Sequence, residues 1–221
     1  MGWGELFKIN SNRKKAFNEI LYKQKCNPIR VISQTGEYSP EKTGTYRVIC
    51  VGAGGDGYIN RGQTTRYYSG GGGGGIAIKD IRLSRGSKYN VTVSTTASFS
   101  NILTATAGTT ANYASSKFTP SVGGTGSGGT YNYSGKAGTH QAVSSDSGMG
   151  QGGSVGAMLT DLYRQHMFTD VNANVLYYGG SVLRYGGGAP ASNTRFDSVY
   201  EDICPKGFPA AILIIPLEME E

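Results

Sequence analysis

The chain has 221 residues, the size of one domain or of a domain with a small appendage. Glycine supplies 35 of them, more than twice the usual share of about 7 %, while charged residues make up only 16 %. The glycines cluster without a three-residue period, which excludes collagen, and a net charge of only +6 with 15 tyrosines argues against a wholly disordered chain. The composition indicates a glycine-rich β protein.

Neither targeting signals nor metal-binding patterns are recognisable in the sequence. The N-terminus lacks the apolar core of a signal peptide, and the longest apolar stretch, 208–217, is far shorter than the ~20 residues of a membrane span. We therefore expect neither secretion nor membrane insertion. Cys26, Cys50 and Cys204 are widely spaced, so we interpret them as reduced thiols of a protein made in a cytoplasm. No metal and no cofactor is predicted.

Charge divides the chain into two parts. Residues 1–50 contain nine Lys or Arg and four Asp or Glu, whereas 51–221 contain twelve and eleven. We therefore predict two domains, a basic N-terminal attachment segment at 1–35 and a glycine-rich body at 36–221.

The basic segment contains one predicted amphipathic helix. Phe17, Ile20 and Leu21 share one face of it, and Pro28 ends it. Such a helix can bind a membrane surface or nucleic acid, but no aromatic-basic patch accompanies the charge. We expect instead that the apolar face docks on another protein, with no nucleic-acid partner.

The body is predicted to consist of strands separated by glycine. Tyr46–Val51 and Ala210–Ile215 are typical of buried strands. Ile76–Leu83 alternates, with a change of phase near Asp80 that indicates a bulge. Together with Tyr89–Val93, it is predicted to form a hairpin.

Two features of the body are candidates for a nucleotide-binding or catalytic site. Gly52–Gly57 matches GxGxxG after a strand, but Gly70–Gly75 follows where a dinucleotide fold would have a helix, so nucleotide binding is not favoured. His140 and His166 are the only imidazole bases, and no serine lies in a GxSxG elbow. Helical spacing within 157–168 is the one non-β pattern. We predict no enzymatic activity.

The glycine clusters admit two interpretations. They could be flexible linkers. Alternatively, they are ordered, extended segments of polyproline-II-like geometry that pack side by side through backbone hydrogen bonds. The glycine clusters recur between clearly predicted strands, which favours the ordered interpretation. The predicted fold is therefore mainly β: a jelly-roll-like β-sandwich with ordered glycine-rich loops or polyglycine-II-like segments, and a short N-terminal helix.

The order of these motifs resembles the glycine-rich modules of bacteriophage tail-fibre and receptor-binding (tail-tip adhesin) proteins. The resemblance is carried by Gly44–Gly57, Gly70–Lys79, Leu83–Val93, Gly123–Gly135 and the final Ala210–Ile215 strand. It implies a virion protein, made in the bacterial cytoplasm, whose glycine scaffold presents variable segments to the host surface. It also implies partners: other tail or baseplate proteins, and a glycan or protein receptor on the bacterium. Two points stay open: whether the protein forms a homotrimer, and whether the particle is a phage or a tail-like bacteriocin.

Aromatic residues in the glycine-rich loops are the candidate receptor contacts, because a rigid amphipathic ring combines contact area with a polar group. The candidates are Tyr58, Tyr67, Tyr68, Tyr113, Tyr131, Tyr133 and His140. For each, a structural ring that covers glycine backbone is the competing interpretation. Phe17, Ile20 and Leu21 are the candidate particle-docking residues. The alternative function is a purely architectural tail or baseplate component, and a glycan hydrolase is a weaker one because no paired-carboxylate motif is present.

Overall fold

The computed structural model describes residues 30–61, 66–114, 117–143, 149–153, 167–169, 176–178, 181–183, 185–189, 191–196, 199–203 and 206–220. This part of the chain is mainly β, with several antiparallel sheets and no helix. The predicted helix with Phe17, Ile20 and Leu21 lies outside the described residues. So does the predicted helical stretch, apart from its last two residues, which begin a strand.

The described residues form 21 strands. The first seven are β1 (Arg30–Ile32), β2 (Gly36–Tyr38), β3 (Gly44–Val51), β4 (Tyr58–Arg61), β5 (Arg66–Ser69), β6 (Ile76–Leu83) and β7 (Tyr89–Val93). The next seven are β8 (Ala97–Phe99), β9 (Leu103–Ala105), β10 (Asn112–Ala114), β11 (Lys117–Thr119), β12 (Gly126–Ser127), β13 (Tyr131–Tyr133) and β14 (His140–Val143). The last seven are β15 (Met149–Gly150), β16 (Met167–Thr169), β17 (Leu176–Tyr178), β18 (Ser181–Leu183), β19 (Ala191–Phe196), β20 (Val199–Ile203) and β21 (Ala211–Met219).

Two five-stranded sheets contain most of the hydrophobic core. The first sheet has the strand order β1-β21-β3-β6-β13, and the second has the order β12-β9-β8-β7-β2. The end of the predicted basic segment contributes to the first sheet, because Arg30 to Ile32 pair with Ile214 to Ile212. Buried side chains of both sheets form one cluster, which includes Val48, Cys50, Leu83, Val91, Phe99, Leu103, Ile212 and Ile214. The apolar faces of the two sheets therefore pack against each other and are buried from water.

A second apolar cluster lies on the other face of the first sheet. It consists of Ile49, Val51, Ile76, Ile78, Leu213 and Ile215, with Tyr133 and Tyr185 packed against it. The central strands β3 and β21 are thus apolar on both faces, which explains their nearly continuous Val/Ile/Leu sequences.

The predicted hairpin of β6 and β7 is wrong, because the two strands belong to different sheets. β6 pairs with β3 and β13, whereas β7 pairs with β8 and β2. Leu83 and Val91 belong to the same buried cluster. Because β6 and β7 face each other across the core, both side chains are buried. The backbone hydrogen bonds of each strand are formed with its neighbours in its own sheet.

The predicted bulge near Asp80 is also wrong. The pairing of β3 with β6 runs without a shift from Gly44 opposite Leu83 to Val51 opposite Ile76. The apparent change of phase has another cause: Ile76 lies in the second cluster, and Leu83 in the cluster between the sheets. The apolar residue at the start of β6 and the one at its end therefore lie on opposite faces of the sheet. The register shift in this sheet occurs in β21, between Pro216 and Glu218.

The glycine segment 70–75 is hydrogen-bonded along its whole length. Its amides donate to the carbonyls of Thr139, Ala189, Thr109, Lys136, Gly186 and Thr106, in chain order, at 2.7–3.0 Å. Amides three residues apart therefore bond to the same neighbouring segment, 135–139, 186–189 or 106–109. Three neighbours thus surround this segment in turn.

The carbonyls of the same segment are acceptors for further neighbours. Those of Gly71, Gly72, Gly73 and Gly75 accept from the amides of Gly153, Gly55, Gly124 and Gly52. The backbones approach so closely that a Cβ built on Gly72 would lie 2.6 Å from the carbonyl carbon of Val122 and closer to its oxygen. Side-chain carbons essentially never come within 3.0 Å of such atoms. Only glycine fits here. We call 70–75 and the segments bonded to it the glycine region.

The glycine region extends from the ends of the strands of the first sheet. Val51 lies opposite both Ile76 and Ala211, so the chain leaves β3 and enters β6 and β21 at the same end of that sheet. Hydrogen bonds then join Gly52 to Gly75 and Gly55 to Gly72, which sets the direction away from the sheets. The glycine region therefore separates the two large sheets from the strands inserted between its segments.

Candidate functional site

Among the described strands, β16 to β18 form a sheet of their own between Gly153 and Gly186, and four other excursions of the chain also begin and end in the glycine region; we call these four the distal elements. They comprise β4 with β5, β10 with β11, β14 with β15, and β19 with β20. β14, β5 and β4 form one three-stranded sheet, β15, β19 and β20 form another, and β10 pairs with β11. Segments that are far apart in sequence are thereby brought together beyond the glycine region.

Four aromatic side chains meet among the distal elements. The rings of Tyr67 and Phe118 stack with centroids 4.7 Å apart and planes 9° apart. Tyr113 stacks on Tyr67 at 5.4 Å, and His140 lies tilted against Phe118 at 5.1 Å. We call these four residues the aromatic cluster. Such ring contacts contribute about 0.5–1.5 kcal/mol each beyond the area they bury.

Strand pairing explains why these rings meet. Tyr113 and Phe118 are directly opposite in the β10–β11 pair, so both rings project from the same face. His140 is opposite Ser69, and Tyr67 precedes Ser69 by two residues, so Tyr67 and His140 lie on one face of their sheet. His140 is exposed, while the three other rings are partly buried. The cluster therefore has a buried end and an end that reaches solvent.

Tyr58 and Tyr68 belong to the same three-stranded sheet but have different environments. Tyr58 is opposite Ser69, as is His140, and its partly buried hydroxyl accepts a hydrogen bond of 3.3 Å from Asn60 Nδ2. Tyr68 is fully buried, and its hydroxyl has no hydrogen-bond partner among the described residues. A receptor could reach the Tyr68 ring only if that ring left the interior.

Tyr131 and Tyr133 lie away from the distal elements. They stand in β13, opposite Ile78 and Ile76 at the edge of the first sheet. Tyr131 is 43 % exposed, whereas Tyr133 packs against the second apolar cluster. The structure thus brings together Tyr67, Tyr113 and His140 among the seven candidates and places Tyr131 and Tyr133 elsewhere.

Sequence reasoning missed Phe118. The signal was available: Tyr113 and Phe118 flank a Ser-Ser pair at matching distances, as directly opposite residues of a hairpin with a two-residue turn do. Serine lacks the positive-φ preference of the usual turn residues, so this hairpin was not recognised.

An ion pair joins the start of the distal elements to the segment before β21. Asp56 Oδ2 lies 2.7 Å from Lys206 Nζ, and Asp56 Oδ1 accepts a hydrogen bond of 2.9 Å from the amide of Gly207. Burial alone would raise the pKa of the Asp56 carboxyl, but the hydrogen bonds from Lys206 and Gly207 outweigh it and lower that pKa. The amide of Asp56 donates to Thr110 Oγ1 at 2.9 Å, so three segments meet at this residue.

The chemistry available to the aromatic cluster is recognition. Its rings offer apolar faces and edges, and its phenol and imidazole groups offer hydrogen bonds. In the described part of the chain, no group of three or more His, Cys, Asp or Glu side chains could hold a metal ion. Nor do the described residues include a helix that could cross a membrane. No protein-family model matches the chain, and no curated protein matches it significantly.

Proposed function

We propose that this protein is a non-enzymatic tail-fibre or tail-tip protein of a phage or phage-tail-like particle, and that its distal elements contact the bacterial surface. One observation supports this most strongly. Four chain excursions, distant in sequence, are held together beyond a hydrogen-bonded glycine region. This arrangement suits a scaffold that keeps its form while the inserted segments change.

In this proposal the two large sheets are a β-sandwich, and the glycine region is a polyglycine-II-like assembly. The three-residue repeat of hydrogen-bond partners along 70–75 supports that geometry, since polyproline-II-like helices have three residues per turn. Ordering glycine is entropically costly, and the hydrogen bonds along the segment offset that cost. The function of the glycine region is to hold the distal elements rigidly at a distance from the sandwich.

The aromatic cluster is the proposed receptor contact. Binding hot spots are enriched in tyrosine and other residues that bury a large, rigid area. His140 and the accessible edges of Tyr67 and Tyr113 would meet a surface glycan or protein. The predicted N-terminal helix would dock the protein to the particle through Phe17, Ile20 and Leu21.

The alternative is an architectural tail or baseplate component without a receptor site. The partial burial of Tyr67, Tyr113 and Phe118 favours this alternative, because rings that hold the β10–β11 pair on the neighbouring sheet need no ligand.

Saturable binding of the labelled full-length protein to a panel of bacterial strains distinguishes the two functions. Charge attraction between a +6 protein and anionic wall polymers weakens with salt, because the Debye length falls from about 10 Å at 0.1 M to about 3 Å at 1 M. Contact through the aromatic cluster acts at short range, so we expect saturable binding to persist over that range of salt. Binding to no strain, or its complete loss at about 1 M salt, would favour the architectural function.

A further inference from the structure

A cleft opens between the two large sheets at one of their edges. At the opposite edge, Thr125 beside β12 pairs with Ser134 beside β13, and this bridge closes the gap between the sheets. At the edge with the cleft, β1 is the outermost strand of one sheet and β2 of the other, and these two strands do not pair within the described chain. The cleft has a volume of about 400 Å³, within the usual range of small-molecule sites.

The lining of the cleft combines an apolar floor with polar groups of opposite charge. Pro216 and the ring of Tyr38 are partly exposed in this lining, whereas Ile214 and Tyr46 lie beneath it and are 1 % and 3 % exposed. Arg30, Glu37 and Glu41 add one guanidinium and two carboxylates. Strong donors, strong acceptors and carbon surface therefore all face one small volume.

Several of these polar groups form no hydrogen bond or ion pair with another described residue. Glu37 forms an ion pair of 2.8 Å with Lys88, and the hydroxyl of Tyr46 donates to the carbonyl of Lys42 at 2.7 Å. By contrast, the structure records no hydrogen bond or ion pair for the side chains of Arg30 and Glu41 or for the Tyr38 hydroxyl among the residues it describes. These three groups can thus take ligand partners without breaking a hydrogen bond or ion pair to another described residue.

The Tyr38 hydroxyl keeps its proton over the whole physiological range. Burial, and to a smaller extent the nearby Tyr46 and Glu41, raise its pKa to about 12 against the opposite influence of Arg30. The mutual influence of these groups also places them within electrostatic reach of one another. A protonated phenol both donates and accepts a hydrogen bond.

We propose that this cleft binds a saccharide unit. A sugar hydroxyl donates to a carboxylate such as Glu41 and accepts from a guanidinium such as Arg30, so it uses both charges of the lining. Its C–H groups fit the carbon surface of Pro216 and of the Tyr38 ring, both of which are partly exposed. A simple anion or a simple cation would use the charges of only one sign, whereas a sugar hydroxyl can use both.

This site is separate from the proposed receptor contact, because it lies between the large sheets and not among the distal elements. It can therefore exist whether or not the aromatic cluster binds the host. Its test needs neither cells nor particles.

The test is saturation-transfer NMR on the full-length protein with galactose, mannose and N-acetylglucosamine as separate probes. We expect saturable signals from at least one sugar in the millimolar range. Glu41→Gln removes the charged acceptor, and Tyr38→Phe removes only the hydroxyl, so each should weaken binding about tenfold, the equivalent of ~1.4 kcal/mol.

Glu218→Gln and Tyr131→Phe are the matched controls, since they make the same changes at exposed residues outside the lining. Both controls should bind like the unmodified protein. No saturable signal from any of the three sugars would overturn the proposal. So would sugar binding that is unchanged by Tyr38→Phe, a variant too conservative to endanger folding, or binding that the controls weaken equally.

Discussion

Replacing Gly72 by alanine tests whether the glycine region is packed backbone to backbone. The new Cβ would lie 2.6 Å from the carbonyl carbon of Val122 and closer to its oxygen. The segment around Val122 must therefore move by at least 0.4 Å to restore the 3.0 Å that real Cβ atoms keep, and by more at the oxygen. A methyl group in such a place costs about 1–3 kcal/mol through overpacking alone.

Hydrogen bonds near the substitution add to this cost. Movement of the segment around Val122 weakens the bonds from the Thr109 amide to the Val122 carbonyl, 2.9 Å, and from the Gly124 amide to the Gly73 carbonyl, 2.8 Å. Each bond contributes about 0.5–1.5 kcal/mol. The combined loss is about 2–6 kcal/mol, and at roughly 2–4 °C per kcal/mol the Tm should fall by about 4 °C or considerably more.

Two other glycines supply matched controls for thermal unfolding. A Cβ at Gly36 meets nothing within 4 Å, so Gly36→Ala should leave the Tm unchanged or raise it slightly. Gly86 also has open space but a φ of 77°, so Gly86→Ala should cost about 1–2 kcal/mol through backbone strain only. Superimposable melting curves for Gly72→Ala and Gly36→Ala would refute the close packing of the glycine region.

Two further predictions concern a thiol and a carboxylate. Burial raises the pKa of the Cys50 thiol to about 12, so in a Cys26→Ser/Cys204→Ser background a thiol reagent at pH 8 should modify Cys50 only after denaturation; rapid labelling of the native protein would contradict this. The pKa of Asp56 lies below its ordinary value of 3.8, so its ionised form stabilises the fold at neutral pH, and that contribution is lost as the pH falls through the lowered pKa. Asp56→Asn should therefore lower the urea midpoint at pH 7 and have little effect once the pH is below the lowered pKa. An equal loss under both conditions would show that ionisation is not the cause.

The sequence was informative where a strand is apolar and continuous. The predicted strands Tyr46–Val51 and Ala210–Ile215 are confirmed as the apolar parts of β3 and β21, because Val, Ile and Leu in an unbroken run specify a strand that is buried on both faces. β3 begins two residues earlier than predicted, and β21 continues four residues further, to Met219. Pairing was not predictable in the same way. β6 and β7 are adjacent in sequence, and their alternation fits either a hairpin or two strands that face each other across a core.

The candidate site was predicted only in part for a similar reason. Sequence showed which tyrosines lie in glycine-rich stretches, but not which of them the fold brings together. Tyr67 and His140 lie on one face of a sheet, where both contact Phe118, because His140 pairs opposite Ser69, a pairing across 71 positions that no local pattern encodes. Tyr131 has the same kind of sequence neighbourhood, yet it pairs with Ile78 at the edge of the first sheet. Assignment of either tyrosine required the register of the strands.

The central claim is that the distal elements, and not the sheets or the overall charge, bind the host. Its most direct test compares Tyr113→Ala/His140→Ala with Tyr131→Ala in saturable binding of labelled protein to a responsive bacterial strain. Tyr131 is exposed but lies outside the distal elements, so it is the matched control. We predict at least tenfold weaker binding for the double variant, as expected for hot-spot residues, with unchanged binding for Tyr131→Ala. The double variant loses two ring contacts, so its Tm should fall by a few degrees, and binding is compared at a temperature where all three proteins are folded. Equal binding by all three proteins would contradict the claim.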